Sequence, residues 1–206
     1  MKKIRVMIAD DHAILRMGLS SLLGRKGDFE IVGEAADGDE AVRKAQKLAP
    51  DVVIMDLMMP VTDGVEATRP IRERLPGTKV VILTTFGTAD GIAHALSAGA
   101  NGAVLKSTDF SDLVNAVRTV AAGERYIAPD IRAILDSEPP VPDLTTRQTE
   151  ILESIVDGLT NKEIAVRLGI SLPMVKEHVK ALFAKIGATN RSEAVATALR
   201  KHLLRM

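Results

Sequence analysis

The chain has 206 residues, of which 46% are hydrophobic and 26% charged, and its basic and acidic residues balance at 27 each. This composition suits a globular protein with one large or two small domains, and the zero net charge argues against a simple polycation that coats nucleic acid. The lack of cysteine excludes disulfide frameworks, thiolate zinc sites and cysteine nucleophiles, and the 2% aromatic content disfavours proteins that read single strands by base stacking.

The sequence also argues against export and membrane insertion. Arg5 interrupts the first apolar run and Asp10 ends it, so this segment lacks the apolar core of a signal peptide. No apolar run approaches the roughly 20 residues that a membrane-spanning helix needs. We therefore expect a cytoplasmic protein that makes no contact with a membrane.

Short apolar runs alternate with helical patterns over the first 130 residues. The runs are rich in β-branched residues, as buried parallel strands are, and they lie at 4–9, 31–35, 52–55, 80–84 and 103–105. The helical patterns lie between and after them, at 13–23, 38–48, 65–75, 89–98 and 111–121. This alternation predicts an α/β fold with a doubly wound, flavodoxin-like sheet of five parallel strands.

A proline-rich segment ends the alternation. Pro139, Pro140 and Pro142 fix φ and cannot donate backbone hydrogen bonds, which indicates a short, semi-rigid linker. We predict a first domain over residues 1–125, a linker over 126–143 and a second domain over 144–206. A long surface loop within a single domain is the alternative.

The last part of the chain has only helical patterns, and we predict a small all-α domain there. The predicted helices span 147–157, 161–168, 172–186 and 192–204. Suitable N-capping residues precede them, namely Thr145 or Thr146, Thr160, Ser171 and Asn190. Gly158, Gly169 and Gly187 follow the first three helices, where a left-handed residue often ends a helix. Basic residues outnumber acidic ones from Ser171 onward, which favours contact with a polyanion.

Polar side chains follow the strands of the predicted sheet. Asp10 and Asp11 follow the first strand, while Asp56, Thr84 and Lys106 close the third, fourth and fifth. Ligands of open parallel sheets bind beyond the carboxyl ends of the strands, so we expect these groups to converge. Three nearby carboxylates favour Mg²⁺, and Asp56 is placed to act as a phosphoryl-accepting nucleophile assisted by Lys106 and Thr84. The alternative is that each aspartate only caps the following helix.

These segments resemble the receiver domain of bacterial two-component response regulators, on the runs 8–12, 55–64, 83–84 and 105–106. The resemblance implies that a sensor histidine kinase phosphorylates Asp56. It also implies that Mg²⁺ is bound by Asp10, Asp11, Asp56 and the backbone carbonyl of Met58, that Thr84 and Lys106 contact the phosphoryl group, and that Pro60 and Gly64 shape the following loop.

The chain departs from the receiver pattern at two positions. Ala103 stands where receivers often carry an aromatic switch residue, and Ser107 follows the lysine in place of proline or aspartate. Phe86 is a candidate substitute for the aromatic residue, and a packing role for it is the alternative. Neither departure removes a group needed for phosphoryl transfer.

The helical patterns at 161–168 and 172–186 have the spacing of a helix-turn-helix, whose second helix enters the major groove of DNA. Lys176, Glu177 and Lys180 fall on the outer side of that second helix, where they can meet base edges or phosphates. The alternative is that this charged face is only solvated surface.

The runs 144–152, 158–165, 168–171, 175–179 and 190–195 strongly resemble the LuxR-type helix-turn-helix. The two halves together resemble a NarL/FixJ-family response regulator. The resemblance implies that Lys176, Glu177 and Lys180 face the groove of double-stranded promoter DNA. It assigns phosphate-backbone contacts to Asn161, Lys162, His178 and Arg191, and pairing of two copies to Val195, Ala198 and Leu199. Gln148, Met174 and Leu172-Pro173 depart from the usual pattern, so an atypical operator preference is expected.

The sequence as a whole predicts a transcription regulator rather than an enzyme. Phosphorylation of Asp56 is expected to favour a homodimer that binds promoter DNA. One rival is a Mg²⁺-dependent phosphohydrolase with an aspartate nucleophile, and another is a DNA-binding regulator that ignores phosphorylation. The four histidines, at 12, 94, 178 and 202, lack metal-ligand spacing, so we interpret them as surface or packing residues.

Overall fold

The computed structural model describes residues 2–85, 89–137, 144–200 and 203–204. The chain divides into two compact units, Met1–Pro139 and Pro140–Met206. None of the helices in these described stretches combines the length and hydropathy needed to cross a membrane.

The first unit is a parallel sheet with helices between its strands. The strands are β1 Ile4–Ala9, β2 Phe29–Ala35, β3 Val52–Asp56, β4 Lys79–Thr84, β5 Gly102–Leu105 and β6 Tyr126–Ile127. The helices are α1 Ala13–Gly24, α2 Gly38–Leu48, α3 Gly64–Arg74, α4 Ala89–Ser97, α5 Phe110–Ala121 and α6 Pro129–Ser137. The strands lie in the order β2-β1-β3-β4-β5-β6, and all neighbouring pairs are parallel. The predicted doubly wound α/β fold is thus confirmed.

The strand order places a crevice at the carboxyl ends of β1 and β3. β1 lies between β2 and β3, so the chain changes winding direction there, and such switch points are where open α/β sheets bind ligands. Ala9 of β1 pairs with Met55 of β3. The residues that follow this pair, Asp10 and Asp56, therefore emerge side by side at the crevice.

The sheet has a sixth strand that the sequence analysis did not predict. Tyr126 pairs with Gly102 and Ile127 with Ala103, and α6 then buries Ile131 completely in the core of the first unit. A strand of two residues is too short to show an alternating pattern, which is why it was missed. The prediction that a linker begins at residue 126 is therefore wrong for 126–137, and residues 138–143, with the three prolines, lie outside the described residues.

The second unit consists of α7 Thr146–Val156, α8 Asn161–Leu168, α9 Leu172–Ile186 and α10 Arg191–Arg200. Their apolar faces share one core, formed by residues that include Ile151, Leu152, Ile164, Val175, Leu182 and Ile186. The helical prediction is confirmed, although the last helix was predicted to continue through Leu204. Leu203 and Leu204 are not helical, and His202 lies outside the described part of the chain.

The predicted helix ends are confirmed by local hydrogen bonds. Thr145 and Thr160 form capping boxes with Gln148 and Glu163, and the Ser171 hydroxyl accepts from the backbone N–H of Met174. The Asn190 side chain accepts from the N–H of Glu193 at 2.9 Å. The glycines at 158, 169 and 187 have positive φ values of 84°, 64° and 71°, as left-handed helix-ending residues do.

Candidate functional site

The structure brings two buried carboxylates and one ammonium together at the crevice. Asp10 is 1% exposed and Asp56 2% exposed. The Nζ atom of Lys106 lies 2.7 Å from Asp10 Oδ2 and 2.7 Å from Asp56 Oδ2. Lys106 reaches this position because its backbone N–H donates to the Thr84 carbonyl at 2.6 Å, directly after β5. The partly buried ammonium of Lys106 thus forms ion pairs with two buried carboxylates.

This crowding shifts the proton affinities of the site. Burial raises the pKa of Asp56 above its ordinary range, and the charge of Asp10 adds to the effect, while the hydrogen bond from Lys106 opposes it. Burial alone would lower the pKa of Lys106, but its contacts with Asp10 and Asp56 outweigh burial and raise that pKa. Lys106 therefore stays protonated, and burial makes the charged form of the Asp56 carboxylate less stable than it is in water.

The carboxylates form a donor set suitable for a hard divalent cation. One ligand atom from each of Asp10, Asp11, His12 and Asp56 lies within 4.8 Å of the others. Carboxylate oxygens are the ligands that Mg²⁺ prefers, and the excess negative charge of the cluster would be offset by such an ion. These residues therefore fit Mg²⁺. The Met58 backbone N–H donates to Asp56 Oδ1 at 3.3 Å, and the expected role of the Met58 carbonyl stays a prediction.

His12 lies closer to the site than the sequence analysis expected. Its Nδ1 is 2.7 Å from Asp11 Oδ1 and 3.3 Å from Asp10 Oδ1, although the side chain is 69% exposed. The sequence feature that could have indicated this contact is the position of His12 directly after Asp10 and Asp11. His12 is therefore part of the acidic rim as well as a surface residue.

Thr84 ends β4, the strand next to β3 and β5. The residue is fully buried, and Thr84 Oγ1 has no hydrogen-bond partner in the described stretches of the chain. Leaving a buried hydroxyl unpaired costs about 1–3 kcal/mol, so the Thr84 hydroxyl favours a hydrogen bond to a group that binds in the crevice. Its neighbour on β5 is Leu105, and Lys106 follows it. The Thr84 hydroxyl is thus able to donate to an oxygen that enters the crevice.

Ala103, at the position of the usual aromatic switch residue, takes part in backbone hydrogen bonding between β5 and the segment that follows β6. Ala103 is fully buried, and its carbonyl accepts a hydrogen bond from the Ala128 N–H at 3.0 Å, immediately before α6. The candidate substitute Phe86 lies outside the described residues. β5 is therefore tied directly to β6 at the point where an aromatic side chain stands in many receivers.

The loop after β3 approaches Asp56 very closely. A Cβ atom at position 64 would overlap the carbonyl oxygen of Asp56, and the Gly64 N–H donates to the Leu57 carbonyl at 3.0 Å. Val61 has φ 67° and is 85% exposed, an unusual conformation for a β-branched residue. The expected loop-shaping role of Gly64 follows from this contact, whereas nothing in the sequence indicated the backbone of Val61.

The second unit exposes the predicted outer face of α9. Lys176, Glu177 and Lys180 are exposed, while Val175, Leu182 and Ile186 on the opposite side are buried. Lys162 at the start of α8 is exposed, and Asn161 and His178 are partly buried. This arrangement is compatible with the predicted groove-facing and phosphate-facing roles, which stay predictions.

Arg191 links α10 to the end of α7 within this unit. Its guanidinium donates to the Ile155 carbonyl at 3.0 Å and also to the Leu159 carbonyl. These carbonyls lie at and beyond the end of α7, so Arg191 holds the start of α10 against them. The expected contact of Arg191 with the DNA backbone stays a prediction.

The residues predicted to pair two copies are not equally available. Leu199 is 44% exposed and Val195 partly buried, but Ala198 is 2% exposed and lies in the core of the second unit. Ala198 therefore offers little surface to a second copy, and the expected pairing through Val195, Ala198 and Leu199 stays a prediction. The small side chain of Ala198 fits the helical core, a role that α-helical periodicity did not distinguish from an interface.

Known families match both units. The family described as "Response regulator receiver domain" matches residues 6–118, and "Bacterial regulatory proteins, luxR family" matches residues 142–198. The chain belongs to the LuxR family of response regulators. As a LuxR-family response regulator it combines a receiver domain with a LuxR-type DNA-binding domain.

Relatives of the family align along nearly the whole chain. The transcriptional regulatory protein LiaR of Bacillus subtilis (strain 168) is 37% identical over 209 residues, covering 98% of this chain and 99% of the relative. A crystal structure of the response regulator ChrA, of a heme-sensing two-component system, is 38% identical, covers 99% of this chain and 100% of its own, and has a TM-score of 0.58.

A DNA complex is also among the related structures. RcsB of Salmonella enterica serovar Typhimurium, bound to a promoter in the presence of the phosphomimetic BeF3⁻, is 25% identical with a TM-score of 0.71. It covers 95% of this chain and 98% of its own. The family is one of DNA-binding transcription regulators.

Proposed function

We propose that this response regulator is phosphorylated on Asp56 by a sensor histidine kinase. The observation that carries the proposal is the cluster of buried Asp10 and Asp56 with Lys106 at the topological switch point, with contacts of 2.7 Å from Lys106 to each carboxylate. A carboxylate oxygen of Asp56 attacks phosphorus, the P–O bond forms as the P–N bond to the donor histidine breaks, and the donor imidazole leaves with the electron pair.

The groups around Asp56 have distinct roles in this transfer. Lys106 moves its charge from the Asp56 carboxylate to an oxygen of the phosphoryl group, and keeps Asp10 as its second partner. The Thr84 hydroxyl, unpaired in the described part of the chain, donates to another phosphoryl oxygen. Asp10, Asp11, Asp56 and the Met58 carbonyl would hold Mg²⁺, which when bound offsets negative charge on the phosphoryl group.

The test of this step is phosphorylation in vitro. The full chain is incubated with acetyl phosphate and Mg²⁺, and intact mass spectrometry counts the phosphoryl groups. We expect the wild type and Asp136→Asn, which alters an exposed aspartate of α6, to gain one group, and Asp56→Asn to gain none. Omitting Mg²⁺ should suppress the gain. Labelling of Asp56→Asn would contradict the assignment.

We propose further that the second unit binds promoter DNA as a homodimer in the cytoplasm, with α9 in the major groove. The exposed row of Lys176, Glu177 and Lys180, on the side of α9 away from the buried Val175, Leu182 and Ile186, supports this orientation. Lys162 and the side chains of Asn161 and His178 are placed to approach phosphates, and Leu199 and Val195 supply apolar surface for the second copy. Phosphorylation of Asp56 favours this dimer and thereby controls transcription.

DNA binding is tested by selection from a random duplex library with the full chain, Mg²⁺ and beryllofluoride, followed by anisotropy measurements on the selected site. We expect a site with two half-sites about one helical turn apart. Lys180→Ala should weaken binding about 10-fold, whereas Lys44→Ala in the first unit should not. Failure to enrich any sequence would contradict specific binding.

A further inference from the structure

The exposed surface of α9 is divided into two chemically different edges. Residues three, four and seven apart lie along one side of a helix, so Lys176 and Lys180 share one edge, and Met174, Glu177 and Ala181 share the other. All five residues are exposed. The recognition helix therefore presents a basic edge and an apolar edge that carries one carboxylate.

Met174 is held outward at the start of this helix. The Ser171 hydroxyl accepts from the Met174 N–H at 3.4 Å, which fixes Met174 in the first turn. The next residue, Val175, is fully buried in the core, so Met174 projects away from it and is 46% exposed. The N-terminal part of a recognition helix is the part that reaches base edges.

The occupant that fits an isolated apolar side chain here is a thymine methyl group. The 5-methyl of thymine is the apolar group that B-DNA displays in the major groove, beside hydrogen-bonding edges that Glu177 and the lysines can meet. One methionine and one alanine make a patch far smaller than a protein–protein interface requires. The chemistry of this edge therefore points to a base.

We propose that Met174, on the same edge of α9 as Ala181, contacts the 5-methyl group of a thymine in each half-site and thereby helps to determine sequence preference. Glu177, on the same edge, then accepts from the amine of a neighbouring cytosine or adenine. This inference rests on the proposed DNA-binding function, and it assigns specificity to an apolar side chain at a position outside the charged row already considered.

The experiment replaces thymine by 2′-deoxyuridine, which lacks only the methyl group. The duplex selected with the full chain, Mg²⁺ and beryllofluoride is resynthesised with deoxyuridine at one thymine position at a time, in both half-sites together. Affinities are measured by fluorescence anisotropy for the wild type, for Met174→Gln, which keeps the side-chain length, and for Met17→Gln, the same change on the 68% exposed Met17 of α1.

We expect one thymine position at which loss of the methyl weakens wild-type binding about fourfold per half-site, the effect of about 0.8 kcal/mol for one buried methyl group. Met17→Gln should show the same loss. Met174→Gln should bind the thymine duplex more weakly and should not distinguish it from the deoxyuridine duplex.

Three results would overturn the inference while leaving DNA binding intact. These are a selected site with no common thymine, equal affinity for thymine and deoxyuridine at every position in the wild type, and an unchanged thymine preference in Met174→Gln. Failure to select any sequence would instead contradict the proposed function on which the inference depends.

Discussion

At the scale of single residues, the position of Asp56 is constrained by neighbouring backbone atoms as well as by nearby charges. Gly64 begins α3 beside the carbonyl of Asp56, where even one added carbon would overlap that oxygen. Because Gly64 has no side chain, the start of α3 can pack directly against the backbone of Asp56. Asp63 reinforces this geometry, because its carboxylate caps α3 by accepting from the Glu66 N–H at 2.8 Å.

Substitution of this glycine tests the close approach. We expect Gly64→Ala to lower the free energy of unfolding of the first unit by about 1–3 kcal/mol, because the backbone at Asp56 or at α3 must shift to admit the methyl group. Gly77→Ala is the matched control, since a Cβ there meets no atom within 4 Å and its φ is not positive. Urea denaturation followed by circular dichroism measures both, and equal stability of the two variants would refute the steric argument.

The site residues that could be predicted from the sequence are polar residues at or directly after the end of a strand. Asp10, Asp56 and Lys106 were expected to converge because parallel strands end at one edge, and the structure brings them together. The burial of Ala198 was not predicted because helical spacing alone does not separate a core position from an exposed one. His12 was missed because its approach to Asp11 depends on the backbone turn after β1, which no periodic pattern encodes.

At the scale of elements, the helices of the second unit follow rules that the sequence displays. Two successive helices use the same capping box with one chemical difference, since α7 has Gln148 and α8 has Glu163 at the third position. By contrast, β6 and α6 depend on pairing with β5 and on burial of Ile131, which are long-range contacts invisible to local patterns. Local sequence patterns were thus sufficient to predict the helix caps but not the edge strand β6.

The capping difference predicts a pH-dependent helix end. The backbone hydrogen bond from Thr160, followed by the Thr160 hydroxyl bond and the charge of Arg191, lowers the pKa of Glu163 below its ordinary 4.5. A carboxyl whose pKa is lower in the folded state stabilises the fold above its unfolded pKa, and this contribution is lost as pH falls through the folded value. The second unit should therefore weaken at α8 below about pH 4.5.

Thermal unfolding between about pH 5 and 3, followed by circular dichroism, measures this effect as a difference between variants. Glu163→Gln should lose less stability on acidification than the wild type, because its amide cannot be protonated in this range. The reciprocal change Gln148→Glu should add a pH dependence at α7. Parallel stability curves for wild type and Glu163→Gln would show that the carboxylate bond at Thr160 is energetically unimportant.

At the scale of the whole molecule, the chain has zero net charge, but the segment from Ser171 onward has more basic than acidic residues. Because the net charge is zero, overall electrostatic repulsion does not oppose self-association. Under the proposed function each second unit presents only a short groove-facing row on α9, so we expect tight and specific binding to require two copies on adjacent half-sites. We therefore expect the receiver to regulate DNA affinity by controlling how many copies associate, without altering α9 itself.

This reasoning predicts a mass change on activation. With Mg²⁺ and beryllofluoride, which mimics the phosphoryl group on Asp56, the wild type should shift from a monomer of 22.1 kDa to a dimer. Light scattering after gel filtration measures the mass directly. Asp56→Asn should stay monomeric under both conditions, and Lys106→Ala should respond weakly, because it lacks the cation that bridges Asp10 and Asp56 and would contact the phosphoryl mimic. A dimer present before activation and unchanged in Asp56→Asn would instead indicate a regulator whose DNA binding is independent of phosphorylation, a behaviour compatible with Ala103 at the usual switch position.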